Sequence, residues 1–139
     1  MNNVIIQKSG QVGMFVAVAS AGAESIMTSP DGITWTARTP SSDSVWYSVC
    51  WSPELSLFCA VASAGADSIM TSPDGTTWTV RTPSSDSNWR DVCWSSELSL
   101  FVAVAFTGTE SIMTSPNGID WTVRTPSSDS EWYSVCWAA

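Results

Sequence analysis

An all-β fold built from repeated four-stranded units is what this sequence predicts, and three observations carry the prediction. The first is an internal repeat. Ser25-Ile-Met-Thr-Ser-Pro-Asp-Gly32 returns at Ser68 to Gly75, and again as Ser111-Ile-Met-Thr-Ser-Pro-Asn-Gly118, a period of 43 residues. Thr39-Pro-Ser-Ser-Asp-Ser44 returns at Thr82 and Thr125 with the same period, and residues 46–88 match 89–131 at 31 of 43 positions. The second is the alternation of short Val-, Ile-, Thr-, Phe- and Trp-rich runs with turns of Pro, Gly, Asp and Ser. The third is that no window shows a 3.6-residue apolar period, so no helix is expected.

The elements of one unit follow in order. Strand A is Trp46-Tyr-Ser-Val-Cys-Trp51, and a turn with Ser52-Pro53-Glu54 ends it. Strand B is Leu57-Phe-Cys-Ala-Val-Ala62. The Gly-containing loop 63–67 leads to strand C, Ser68 to Ser72. Pro73-Asp74-Gly75 turns the chain into strand D, Thr77 to Arg81. The loop Thr82 to Ser87 then reaches the next strand A.

Four strands in a unit of 40–45 residues predict the blade of a β-propeller. Inner strands such as Phe58-Cys-Ala-Val-Ala62 suit burial on both faces. Trp35, Trp78 and Trp121 on strand D supply bulk where blades diverge, and core and inter-blade packing is the first role expected for all nine tryptophans.

Ser29-Pro-Asp-Gly-Ile-Thr-Trp35, Ser72-Pro-Asp-Gly-Thr-Thr-Trp78 and Ser115-Pro-Asn-Gly-Ile-Asp-Trp121 resemble the Asp-box, Ser-x-Asp-x-Gly-x-Thr-Trp, of sialidase-type and related propellers. They are one residue shorter, and the third copy carries Asn117 and Asp120. The wider repeat resembles uncharacterised bacterial and phage propeller repeats. The resemblance implies a propeller fold and no particular function. A sialidase of that family would need three converging arginines and a Tyr–Glu pair. Arg38, Arg81 and Arg124 are instead repeat-equivalent at the ends of strand D, and the only tyrosines, Tyr47 and Tyr133, are equivalent to each other. No enzyme activity is expected.

The whole chain, 1–139, reads as one domain: a leader, 1–10, then three units at about 11–53, 54–96 and 97–139. Each unit runs B-C-D-A. The leader aligns with a strand A whose tryptophans are missing. Three blades are too few for a ring. Two chains would make a six-bladed homodimer, with Trp132 to Trp137 of each completing the first blade of the other. Nine blades from a trimer, or a piece of a longer propeller, are the alternatives.

Composition narrows the function. Five basic against thirteen acidic residues give a net charge of −8, which argues against nucleic acid and anionic membrane surfaces as partners. With no histidine, imidazole-based catalysis and His metal sites are excluded. No cofactor or metal is implied. Neither a signal peptide nor an apolar run of membrane-spanning length is read in the chain. Cys50, Cys59, Cys93 and Cys136 follow no metal or CxxC spacing and read as reduced, buried thiols, with a Cys50–Cys59 cross-strand bridge as the alternative. This slightly favours a cytoplasmic or virion-associated setting.

Two sets of residues are candidates for a role. Asp31, Asp74 and Asn117 are expected to organise turns, because a side-chain oxygen two residues before a backbone N–H accepts from it. Asp43, Asp86 and Asp129, each just ahead of Trp46, Trp89 and Trp132, combine a carboxylate, serines and an aromatic ring. That chemistry suits a carbohydrate-facing loop as well as a plain capped one. Twelve positions differ between the second and third copies. Seven cluster at the D–A and B–C connections and the start of strand A, Tyr47/Arg90, Ser48/Asp91 and Ser63/Phe106 among them. Any ligand site, drawing on Tyr47, Arg90 and Tyr133, is expected on that face. A multivalent, lectin-like binding module is the first functional expectation. A structural or protein-interaction propeller, such as part of a phage or surface assembly, is the second.

Overall fold

The computed structural model describes residues 13–63, 65–107 and 109–139; the expected leader strand and Gln11 lie outside them. The described residues form eleven strands and no helix. They fall into three antiparallel sheets. Sheet 1 holds β1 (Phe15–Val18), β2 (Ile26–Ser29) and β3 (Thr36–Arg38). Sheet 2 holds β4 (Trp46–Ser52), β5 (Leu57–Ala62), β6 (Ile69–Ser72) and β7 (Thr79–Arg81). Sheet 3 holds β8 (Trp89–Ser95), β9 (Leu100–Ala105), β10 (Ile112–Ser115) and β11 (Thr122–Arg124). In each sheet, strands adjacent in sequence are hydrogen-bonded neighbours.

The expected strands A, B, C and D of the second unit are β4, β5, β6 and β7. Strand D is shorter than expected: Trp78 stands before β7, where its Nε1–H donates to the Gly75 carbonyl at 3.1 Å. The segment 132–137, expected as a strand A, pairs into no sheet among the described residues.

Alternation along each strand gives every sheet two different apolar faces. On sheet 2, Phe58, Ala60, Ala62, Met70 and Trp78 point towards sheet 1 and bury Ile26, with Val16 and Val18 packed alongside. On the reverse face, Cys59, Val61 and Ile69 meet Phe101, Ala103, Ala105 and Met113 of sheet 3. So β5 is buried on both sides from Phe58 to Ala62. The aromatic rings follow the repeat. Phe58 sits between Trp51 and Trp78, with ring centroids 4.4 and 6.4 Å away, and Phe101 sits between Trp94 and Trp121 at 4.6 and 6.3 Å.

Close approach of the sheets depends on two glycines. Gly75 (φ +71°) and Gly118 (φ +74°) end their turns in the left-handed region. A Cβ on Gly75 would lie 2.7 Å from Met14 Sδ, and one on Gly118 would lie 3.1 Å from Leu57 Cδ2. Met14 and Leu57 occupy the same place in successive units.

Trp89 closes the seam between sheets 2 and 3 and is fully buried. Trp89→Ala is expected to lower stability by about 3–5 kcal/mol in urea unfolding, and Trp89→Phe by less. Ile33→Ser, on an exposed turn, should change it by under about 0.5 kcal/mol.

Candidate ligand-binding face

The pairing of β4 with β5 skips a residue between Trp46 and Ser48, and that of β8 with β9 skips one between Trp89 and Asp91. Tyr47 and Arg90 are therefore the extra residues of two β-bulges. A bulge re-aims the side chains around it. Here Trp46 and Trp89 turn into the core, while Tyr47 and Arg90 reach the surface at the end of the sheets that carries the B–C and D–A loops.

At that end the Arg90 guanidinium carbon lies 3.9 Å from the centroid of the Tyr47 ring and 5.2 Å from that of Phe106. Phe106 in turn meets Tyr133 edge-on, with centroids 5.1 Å apart. A strip Tyr47–Arg90–Phe106–Tyr133 thus runs across sheet 2, sheet 3 and the C-terminal segment. Flanking aromatic faces attract the guanidinium and fix its plane. Arg90 Nε is buried without a hydrogen-bond partner, and among the described residues no carboxylate pairs with the group.

Asp91 ties the inner strands together beside this strip. It accepts from Ser48 Oγ at 2.5 Å and from its own unit's Val92 amide at 3.0 Å. Its other oxygen accepts from Ser134 Oγ at 2.7 Å and the Val135 amide at 2.9 Å. Burial pushes its carboxyl up. The hydrogen bonds from Ser48, Ser134 and the two amides outweigh that and hold it below the ordinary aspartate value.

The loops of the same face are bound to one another. Ser42 and Ser44 donate to the Asp67 carbonyl at 3.3 and 3.2 Å, and Ser85 and Ser87 to the Glu110 carbonyl at the same distances. The Gly65 amide donates to Asp86 Oδ1 at 2.7 Å. Asp86 is thereby a loop cap, and all three of Asp43, Asp86 and Asp129 are exposed.

The expected site residues divide accordingly. Tyr47, Arg90 and Tyr133 come together. Trp46 and Trp89 do not offer a stacking face: the bulges seal both indoles between sheets, with their Nε1–H groups buried and unpartnered. Trp132 is half-buried. Phe106 and Asp91 were visible only as differences between copies; that they flank Arg90 depends on the bulge, which no sequence pattern announces.

At the opposite end, each C–D turn is organised as expected. Asp31 Oδ1 accepts from the amides of Ile33 and Thr34 at 2.8 and 2.7 Å, and Asp74 Oδ1 from Thr76 and Thr77 at the same distances. Asn117 Oδ1 does the same for Ile119 and Asp120, both at 2.9 Å. Ser29, Ser72 and Ser115 each take the following glycine amide at 2.8 Å.

Other groups are held locally. Arg38, Arg81 and Arg124 each donate Nε–H to a threonine of the neighbouring strand, Thr28, Thr71 and Thr114, at 2.9–3.0 Å. Cys50 and Cys59 face each other across β4 and β5, yet all four cysteines are free thiols. Burial raises the Cys50, Cys59 and Cys93 thiols above their ordinary value, so they stay protonated. No helix among the described residues is long and apolar enough to cross a membrane. No protein-family model and no curated protein matches the chain.

The turn carboxylates set an acid limit. The amides of Thr34 and Ile33 lower the Asp31 carboxyl from 3.8 to about 2, and those of Thr77 and Thr76 lower Asp74 further. Groups depressed by folding contribute stability above their unfolded pKa and lose it as pH falls towards the folded one. Stability should therefore drop between about pH 4 and pH 2. An Asp31→Asn/Asp74→Asn variant should unfold with a flatter pH dependence in that window, since Asn117 already fills the same role without titrating.

Proposed function

We propose that the protein is a non-enzymatic binding module whose ligand sits on the face built around Arg90. We propose further that its sheets are the blades of a β-propeller, closed as a six-bladed ring by two chains. One observation carries the binding reading. Of the positions where the second and third copies differ, Tyr47/Arg90, Ser48/Asp91 and Ser63/Phe106 converge on a single cluster. Drift in exposed loops has no reason to bring a cation, its aromatic walls and its neighbouring carboxylate together.

The ligand class follows from the guanidinium. Its plane is fixed by two rings, and among the described residues no acceptor is bonded to its buried Nε. A carboxylate-bearing sugar fits both features: the carboxylate pairs with the guanidinium edge, and the sugar's apolar face packs on Tyr47 or Tyr133. Arg90 occurs in only one unit per chain, so a two-chain ring would hold two such sites and gain avidity from the pair.

A glycan array containing acidic and neutral sugars tests this. Binding to carboxylate-bearing glycans is expected, with Arg90→Ala weakening it at least about tenfold, the loss of one charge-assisted hydrogen bond. An array with no bound sugar sinks the reading. A specific protein partner recovered alongside an inert array would instead favour a structural or protein-interaction propeller. The low charge and the repeat of near-identical serine-capped loops fit that second reading.

A further inference from the structure

We infer that a second copy of this chain covers the open face of sheet 1, and that residues 132–138 of that copy form the missing inner strand beside β1. The inference deepens the ring just proposed by naming its seam. It stands on the repeat and on strand register, not on any ligand.

Sheet 1 presents the face that sheets 2 and 3 bury. Phe15, Met27 and Trp35 are 58%, 41% and 40% exposed, whereas their equivalents Phe58, Met70 and Trp78 are 8%, 0% and 8% exposed. A pocket of about 280 Å³ opens among Ala17, Ala19, Met27, Trp35 and Ala37. In sheet 2 the equivalent residues Ala60, Ala62 and Met70 pack in one cluster with the indole of Trp46, a residue of strand A. Sheet 1 has no strand A among the described residues, and β1 is its edge.

The same chain carries the matching piece. The segment after β11 is placed against sheet 3 as β8 is placed against sheet 2. Trp94 Nε1–H donates to Glu54 Oε2 at 2.6 Å, and Trp137 Nε1–H to Glu97 Oε2 at 2.5 Å, the same partners one unit on. Ser134 and Val135 are docked on Asp91, yet among the described residues the segment joins no sheet. It stands where the inner strand of a following sheet belongs. The reverse face of sheet 3 is that of sheet 2 with one change: Leu100, Val102, Val104 and Ile112 stand for Leu57, Cys59, Val61 and Ile69.

Sheet 1 of one copy therefore fits behind sheet 3 of another as sheet 3 fits behind sheet 2 within the chain. The contact continues an interface the molecule already makes twice. It joins unlike surfaces, front to back, so it closes only as a ring. The register is fixed by β4 on β5, where Trp46 opposes Ala62, Cys50 opposes Cys59 and Trp51 opposes Phe58. Two units on, Trp132 opposes Ala19 of the second copy, Cys136 opposes Val16 and Trp137 opposes Phe15.

Val16→Cys tests the pairing directly, because a cysteine there would face Cys136 across an antiparallel pair. Under mild oxidation, peptide mapping should find the 16–136 bridge, and a non-reducing gel should show most chains as a covalent dimer. Adding Cys136→Ser should abolish the bridge and leave the assembled mass unchanged. Light scattering of the unmodified chain should give twice 14.9 kDa, which guards against misfolding of the variant. A monomeric mass, a bridge within one chain, or a ladder of larger species each overturns the inference. A monomer is also what the leader would give if it took the β1 edge. None of these readouts involves Arg90 or a sugar, so a failed glycan array leaves this result standing.

Discussion

Everything in the molecule depends on a single constraint: each sheet has two apolar faces of different shape, and both must be covered. In β5 the faces alternate residue by residue. Ala60 and Ala62 let sheet 1 approach closely, while Cys59 and Val61 receive Phe101 and Ala103 from the other side. Burying a large apolar side chain stabilises by roughly 1.5–3 kcal/mol, so a face carrying Phe, Met and Trp cannot be left in water cheaply. The stacking of one sheet's front on the next sheet's back is the single contact that the repeat encodes, and Gly75 and Gly118 keep it tight.

The polar chemistry of the turns is arranged so that stacking the sheets leaves their buried hydroxyls bonded. Ser29, Ser72 and Ser115 are fully buried, but each is bonded to a glycine amide and to the neighbouring Asp or Asn. The turns thus satisfy their own backbone within four residues, and in a chain with only 13% charged residues the fully buried polar side chains among the described residues are all serines and threonines. Asp91 is the exception. It is a half-buried carboxylate between inner strands, and four donors converge on it in place of water.

Much of the fold was legible because repetition multiplies weak signals. One run such as Phe58-Cys-Ala-Val-Ala62 could be a strand or part of a helix. Three such runs at one spacing, each followed by a Pro-Asp-Gly or Pro-Asn-Gly turn, could only be strands. The turn roles of Asp31, Asp74 and Asn117 were legible for the same reason, since Asn is the one substitution that keeps both amide contacts. The candidate site was legible only in outline. Trp46 and Tyr47 are adjacent and both aromatic, and composition treats them alike. A bulge sends one into the core and the other to the surface, and it does the same to Trp89 and Arg90. Bulges are set by how two strands meet, so the inward turn of the tryptophans was not readable from either strand alone.

The position of the bulge also explains where the copies were free to diverge. Along β5 and β9 only one residue differs, Cys59 against Val102, because both faces must fit neighbours that are themselves repeated. The bulged residues meet each other outside the two core clusters. Tyr47 can become Arg90 without disturbing a seam, and Ser48 can become Asp91 because serines and amides of the adjacent inner strands already supply its donors. Phe106 then grows out of a loop whose backbone is still held by the Asn88 carbonyl, as Ser63 is held by that of Val45. A frame this repetitive leaves its asymmetry few places to go. A cation, its aromatic walls and its carboxylate neighbour all appear at the same one.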